Sequence, residues 1–163
     1  MRTDVPELVT LHLWGVPRRR VPSAVGRMAL DRGPLRGTAG LRFWKLLGTA
    51  PGTFSVRDAD ARHWGLLCAW DTGSAGKAFE QGPVAARWDR IAGECLRVAM
   101  RPLAAKGTWS GQAPFGHPEA VRYDGPVAAV TRARLRLGRA RTFWRAVPPV
   151  AAALRSAPGL RLG

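Results

Sequence analysis

The chain has 163 residues, 46% of them hydrophobic, which excludes a chain disordered throughout and suits one domain or two small ones. Its net charge of +15 comes almost entirely from arginines that are scattered over every segment. Scattered arginines exclude no partner and single out none, so binding of nucleic acid or of an anionic membrane surface stays an open alternative.

Alternating and apolar patterns predict a set of strands and helices within residues 1–105. The predicted strands are Leu8–Val16, Leu41–Leu47, His63–Trp70 and Leu96–Leu103. The predicted helices are Val21–Leu30, a helix capped by Asp71 or Thr72 that runs to about Gln81, and Pro83–Ala92. Residues 31–39 are expected to be a loop, and residues 53–56 to return the chain after a turn at 50–52. This order predicts an α+β fold with the ferredoxin-like split βαβ arrangement.

A second, shorter unit is predicted after a linker at residues 106–126, which are rich in Gly and Pro. It comprises a strand at Val127–Leu135, a helix at Arg139–Arg155 and a strand from Leu160, so residues 127–163 form a β-α-β stub. Gly40-Leu41-Arg42 recurs there as Gly159-Leu160-Arg161, which suggests an internal repeat. Because such a stub leaves a sheet unfinished, we expect a C-terminally truncated chain that self-associates, or one whose sheet a partner chain completes.

The stretch from Gly40 to Val56 places a cation on each face of an apolar strand. In a strand, alternate side chains point to opposite faces. One predicted face carries Leu41, Phe43 and Lys45, and the other carries Arg42, Trp44 and Leu46. This decoration is uncommon for a purely structural strand, and it makes the stretch a candidate for ligand binding.

The segment Arg42–Thr49, which reads RFWKLLGT, resembles the spheroidene monooxygenase family of carotenoid-modifying enzymes. Further similar segments follow in the expected order, from about Leu11 to the end of the chain. They are Trp64–Leu67, Trp70, Gly107–Gly111, Pro114–Gly116, Thr131–Ala133 and Phe143–Pro148.

The resemblance implies insertion of oxygen into an acyclic carotenoid, with haem as cofactor and ferredoxin as electron donor. It also implies a tandem ferredoxin-like fold of the dimeric α+β-barrel type, here with a complete first unit and an incomplete second one. A cytoplasmic protein is expected, at most peripheral to a membrane, and a homodimer is open. The alternatives are an inactive truncated chain, a non-catalytic α+β-barrel protein that binds a ligand, and a basic protein that binds nucleic acid or anionic membranes.

Haem propionates need cationic partners, so Arg42 and Lys45 are the candidate cofactor residues, with snorkelling surface cations as the alternative. His63 joins them as a candidate, because a haem iron needs an axial ligand such as histidine. No axial ligand can be chosen firmly. The other histidines, His12 and His117, are expected to be satisfied or exposed.

Trp44 and Trp109 are the candidate substrate contacts, because flat aromatic rings pack well on a conjugated chain. Trp70 and Trp88 are expected in the core. Cys68 and Cys95 are expected to be buried thiols. The sequence identifies no catalytic residue and predicts no metal site, and it contains no phosphate-binding loop, HExxH motif or hydrolase triad.

Overall fold

The computed structural model describes residues 4–50 and 59–132, together with positions 138, 142, 145 and 149. The chain divides into two units, the first made of Met1–Gly48 and Ala61–Asp124. The second is made of Thr49–Asp60 and Gly125–Gly163.

The predicted second unit is covered only in part. Residues 127–132 of its expected first strand form no strand and are exposed. Thr142, Arg145 and Pro149 are helical, as the expected helix requires. The rest of that unit, and the predicted return at residues 53–56, lie outside the described residues. The domain boundaries therefore stay a prediction.

The described residues up to Met100 form four strands and four α-helices. In chain order they are β1 (Leu8–Gly15), α1 (Val21–Leu30), α2 (Arg32–Arg36), β2 (Leu41–Thr49), β3 (Asp60–Trp70), α3 (Gly73–Glu80), α4 (Pro83–Ile91) and β4 (Glu94–Met100). One 3-10 turn, Arg18–Arg20, precedes α1.

The strands form one sheet in the order β2-β3-β1-β4. β1 runs antiparallel to both of its neighbours, with Leu11 opposite Leu67 of β3 and opposite Val98 of β4. Two helical connections and this strand order are the ferredoxin-like arrangement. The predicted α+β fold of the first unit is confirmed.

Local sequence explains where most helices begin. The Thr72 side chain accepts a hydrogen bond from the backbone N–H of Ala75 at 3.2 Å, which caps α3 as predicted. Pro83 occupies the first turn of α4, where its missing N–H costs no hydrogen bond. The loop prediction for residues 31–39 was wrong, because buried Leu35 anchors the short helix α2 there.

The strand bounds also differ from those predicted. β3 begins at Asp60 rather than His63, and β4 spans Glu94–Met100 rather than Leu96–Leu103. β4 is an edge strand, and most of its residues are exposed. Cys95 lies on it and is exposed, so the expectation of a buried thiol was wrong for that residue.

Each face of the sheet carries its own apolar cluster. The face that packs against the helices is built from large buried residues, among them Trp14, Trp70, Phe79 and Trp88. On α1 it is Ala24 that is buried, whereas Val25 is 53% exposed.

The opposite face of the sheet buries Val9, Phe43 and Leu67. Trp109 and Phe115 pack against that second cluster. Part of the predicted linker at residues 106–126 therefore covers the sheet.

Candidate ligand groove at the sheet edge

An open groove of about 330 Å³ lies along β2, an edge strand of the sheet. It brings together three of the five site residues that the sequence predicted. Its lining comprises Leu35, Arg36, Leu41, Arg42, Phe43, Trp44, Lys45, Ser110 and Gln112. Among the described residues, the polar groups of this lining are cations, a hydroxyl, an amide and the indole N–H of Trp44, with no carboxylate. Such a lining suits a ligand that is apolar along its body and anionic at one end.

The Lys45 ammonium group faces the groove without an acidic partner among the described residues. Its Nζ atom donates a hydrogen bond to Ser110 Oγ at 3.1 Å. The same atom lies 5.3 Å from the centre of the Phe43 ring, a distance at which the ring attracts a cation. Neither contact neutralises the charge of Lys45, so that charge is available to a bound anion.

Arg42, in contrast, is already paired. Its guanidinium lies 2.7 Å from Asp71 Oδ1 and 3.1 Å from Asp4 Oδ2. It also donates to the backbone carbonyl of Asp4 at 2.7 Å, and its side chain is only 10% exposed. These bonds tie the segment before β1 and the end of β3 to β2. They give Arg42 a structural role beside its place in the groove lining.

A tight turn, Trp109–Gln112, supplies the far wall of the groove. The two end residues exchange backbone hydrogen bonds, and the central residues Ser110 and Gly111 have φ angles of +55° and +76°. Two positive φ angles in the centre identify a type I′ turn. Ser110 lies in the Gly107–Gly111 segment of the family resemblance and was not predicted to be a site residue, because no hydrolase triad surrounds it in the sequence. The Ser-Gly pair was nevertheless a recognised turn signal.

Trp109, the second predicted substrate contact, is the first residue of this turn and is half-buried. Its ring packs on Phe43 with the two centroids 5.5 Å apart. Trp109 is absent from the groove lining, whereas Trp44, the other predicted contact, forms part of it. The ring contact fixes the turn to the sheet, so Trp109 holds Ser110 and Gln112 in the groove lining without lining the groove itself.

His63 is not brought to the groove. Its Nε2 atom lies 3.0 Å from Glu94 Oε1, and the two residues flank Gly15 of β1 from opposite sides. The sequence grouped His63 with Arg42 and Lys45, but the groove lining contains only the latter two.

His12 occupies the helix-facing side of the sheet and is completely buried. Its ring stacks on Trp14 and meets the edge of Phe79. Neither ring nitrogen has a hydrogen-bond partner among the described residues, and Glu80 Oε1 lies 3.9 Å from Nε2, too far for a hydrogen bond. Burial lowers the pKa of His12 from 6.5 to about 4, and the nearby charge of Arg97 adds to this effect. His12 is therefore neutral near pH 7, and it is neither exposed nor satisfied, contrary to the expectation from the sequence.

Cys68 is buried among apolar residues, as predicted. Burial strongly raises the pKa of its thiol, with only a small opposing effect from a hydrogen bond to Thr10. A thiol that stays protonated is a poor nucleophile and a poor metal ligand.

A second groove, of about 240 Å³, lies beside α2, α3 and α4. It is lined by Pro34, Thr38, Ala39, Ala75, Ala78, Phe79, Gly82, Pro83 and Val84. Thr38 is its one side chain with a polar group, and its hydroxyl is already bonded to the carbonyl of Pro34 at 2.9 Å. This groove therefore offers an apolar surface, whereas the groove along β2 is cationic.

Within the described residues, no group of three or more His, Cys, Asp and Glu side chains could hold a metal ion. None of the helices in the same residues has both the length and the apolar character needed to cross a bilayer.

The chain is similar in sequence to proteins named spheroidene monooxygenase. A spheroidene monooxygenase of Rhodobacter capsulatus is 36% identical over 134 residues, which cover 80% of this chain and 55% of that protein. One from Rubrivivax gelatinosus is 38% identical over 153 residues, covering 92% of this chain and 55% of that protein. The chain is therefore similar in sequence to about half of each of these spheroidene monooxygenases. No protein-family model matches the sequence.

The chain spans about half the length of the curated relatives it matches. Solved structures with the same fold include PA3566 from Pseudomonas aeruginosa, at 13% identity and a TM-score of 0.50. NE2512, a protein of unknown function from Nitrosomonas europaea, matches with 14% identity and the same TM-score of 0.50. This chain covers 100% and 98% of those structures, and they cover 64% and 65% of this chain. At these identities the likeness concerns the fold alone.

Proposed function

We propose that this chain forms part of an oxidoreductase that inserts oxygen into an acyclic carotenoid or a similar apolar substrate. The observation that carries the proposal is its relationship to proteins named spheroidene monooxygenase over 80% and 92% of its length. The groove along β2 supports it, because it collects Arg42, Trp44 and Lys45 from the segment that resembles the family. The substrate and the activity are proposals, since the relatives are about twice as long.

The two grooves suggest how an apolar substrate and an anionic group would be kept apart. The groove along β2 offers the free charge of Lys45 and the exposed guanidinium of Arg36. The groove beside α2, α3 and α4 offers no charged residue and suits a hydrocarbon chain. Trp44 adds an aromatic wall to the cationic groove.

Haem, which the family resemblance implies, fits the cationic groove at one end only. Lys45 and Arg36 are suitable partners for its carboxylates. The described residues of the lining include no His, Cys, Tyr or Met, the residue types that bind haem iron from the protein side. We therefore derive no step through haem in this groove. Haem elsewhere in the protein, with His63 or another ligand, stays a prediction.

Ferredoxin as electron donor, a homodimer and contact with a membrane surface likewise stay predictions. A chain that binds a ligand without catalysis is the second candidate function. The cationic and apolar lining of the groove along β2 suits ligand binding in that candidate as well. An absorption spectrum after addition of haem separates the two candidates, because a Soret band with a raised melting temperature would favour the oxidoreductase.

The proposed activity is tested in a bacterial host that accumulates an acyclic carotenoid and supplies reduced ferredoxin. We expect a more polar carotenoid that has gained one oxygen atom and lost two hydrogen atoms, as conversion of CH₂ to a keto group requires. Growth under isotopically heavy O₂ should place the label in that keto group. Unchanged carotenoid in cells that contain folded protein would contradict the proposal.

A further inference from the structure

Ser110 holds a backbone conformation that disfavours side chains. Among the described residues it is the one non-glycine residue with a positive φ angle. Type I′ turns favour Asn, Asp or Gly at this position, because these residues tolerate the left-handed conformation. Residues held in such conformations are concentrated at functional sites, where their surroundings impose the strain. Ser110 therefore calls for a role beyond the turn itself.

The contact that Ser110 makes is with Lys45. The hydroxyl oxygen accepts the Lys45 hydrogen bond at 3.1 Å, which leaves the hydroxyl hydrogen free to donate to another group. The ammonium group also keeps unused donors. Both sets of donors border the groove along β2.

We infer that Lys45 and Ser110 form an oxyanion subsite, which takes the carboxylate or phosphate end of an amphiphilic ligand. The inference rests on the groove of the proposed function and not on its oxygen chemistry. A carboxylate and a phosphate share the chemistry that matters here, which is a negative charge spread over oxygens that accept hydrogen bonds.

The charges around the groove favour an anion. Asp71 and Asp4 already compensate Arg42, whereas Lys45 has no carboxylate partner in the part of the chain that the structure describes. The exposed guanidinium of Arg36 lies in the same lining and makes it more cationic. A neutral hydrocarbon would leave these charges unused.

The apolar part of the lining favours an amphiphile over a small free anion. Leu35, Leu41, Phe43 and Trp44 line the same groove as the two donors. A chain attached to the oxyanion would cover these side chains and gain from their burial. A free inorganic anion would not.

The bond between Lys45 and Ser110 is not needed to hold the turn. Trp109 already anchors it on Phe43. Four residues after the turn ends, Gly116 packs so closely on Asp4 that a Cβ atom would lie 2.5 Å from the Asp4 carbonyl oxygen. Because these contacts fix the segment at two points, loss of the hydroxyl should leave the turn in place.

The test titrates the full chain with decanoate, decyl phosphate and decanol by isothermal titration calorimetry. Decanol carries the same chain without charge, so it measures the apolar contribution alone. Ser110→Gly removes the hydroxyl and also releases the backbone strain, since glycine adopts positive φ freely. Lys45→Met removes the charge. Ser23→Ala, on the exposed side of α1, is the matched control.

We expect the wild-type chain to bind one or both anionic probes at least tenfold more tightly than decanol. Ser110→Gly should weaken binding of the anionic probe on the order of tenfold, the size of one hydrogen bond to a charged group. Its melting temperature should stay equal or rise, and its affinity for decanol should not change. Lys45→Met should abolish the preference for the anion, and Ser23→Ala should have no effect.

Tighter binding of decanoate would identify a carboxylate site, and tighter binding of decyl phosphate a phosphate site. Equal binding of all three probes to the wild-type chain would overturn the inference. So would a Ser110→Gly variant that binds the anions as the wild type does. These results do not depend on carotenoid oxidation, so failure of the subsite and failure of the proposed activity can be told apart.

Discussion

Replacing His12 by leucine tests whether its buried imidazole is a cost to the fold. The side chain is completely buried, and neither nitrogen has a hydrogen-bond partner in the part of the chain that the structure describes. A polar group buried without a partner costs about 1–3 kcal/mol. The ring contacts with Trp14 and Phe79, which leucine would lose, contribute about 0.5–1.5 kcal/mol each. These terms offset, so we expect His12→Leu to change the free energy of unfolding by less than about 1 kcal/mol near pH 7.

The pH dependence is the sharper part of this prediction. The pKa of His12 falls from 6.5 to about 4 on folding, so between these values the unfolded chain binds a proton that the folded chain excludes. Wherever the unfolded state binds more protons, stability rises with pH. The wild-type chain should therefore lose stability as the pH falls from 6.5 to 4. Integrated over that window, the loss due to His12 is about 3 kcal/mol.

The assay is urea unfolding at several pH values between 7 and 4, followed by tryptophan fluorescence. Carboxylates also titrate in this window, so the difference between variant and wild type is the quantity to plot. His12→Leu should become more stable than the wild type by about 3 kcal/mol as the pH approaches 4. His117→Leu, which changes an exposed histidine, is the matched control and should show no such difference. A His12→Leu difference that does not change with pH would show that folding does not lower the pKa of His12.

Three further predictions follow from contacts around the groove and from the thiols. Arg42→Ala should lower the free energy of unfolding by about 2 kcal/mol, because it breaks charged hydrogen bonds to two carboxylates, and chemical denaturation measures this; a variant as stable as the wild type would contradict it. Gly116→Ala should lower the melting temperature, because the added Cβ would collide with the Asp4 backbone; unchanged melting would argue against that close contact. Iodoacetamide should label the exposed Cys95 slowly, since partial desolvation of its sulfur raises the pKa of the thiol, and should label Cys68 only after denaturation; mass spectrometry that finds native Cys68 labelled would contradict the burial of Cys68.

Local signals predicted the elements that depend on local chemistry. The bounds of α1, Val21–Leu30, are the same in sequence and structure, and Pro22 in its first turn marks where it begins. The cap at Thr72 and the proline at the start of α4 were read in the same way. The interior position of β3 in the sheet agrees with its apolar run, because an edge strand would expose such a run.

The details that depend on distant contacts were not predictable from the sequence. α2 forms because Leu35 reaches the core and Asp31 is held by Arg87 at 2.9 Å, a pairing between residues far apart in the chain. The contact between Trp109 and Phe43 could not be predicted, because the sequence does not show that the expected linker packs on the sheet. For the same reason, Arg42 and Lys45 looked equivalent in the sequence, and only their partners separate them.

We expect the proposed oxidation of a carotenoid or similar apolar substrate to depend on the cationic groove along β2. The most direct measurement is the yield of keto-carotenoid in the host described above from the wild type, Lys45→Met and Lys77→Met. Lys77 is exposed on α3 and absent from the groove lining, so its change removes the same charge elsewhere. We expect keto-carotenoid from the wild type and from Lys77→Met, and a yield at least tenfold lower from Lys45→Met at equal protein level. Equal yields from all three chains would contradict it.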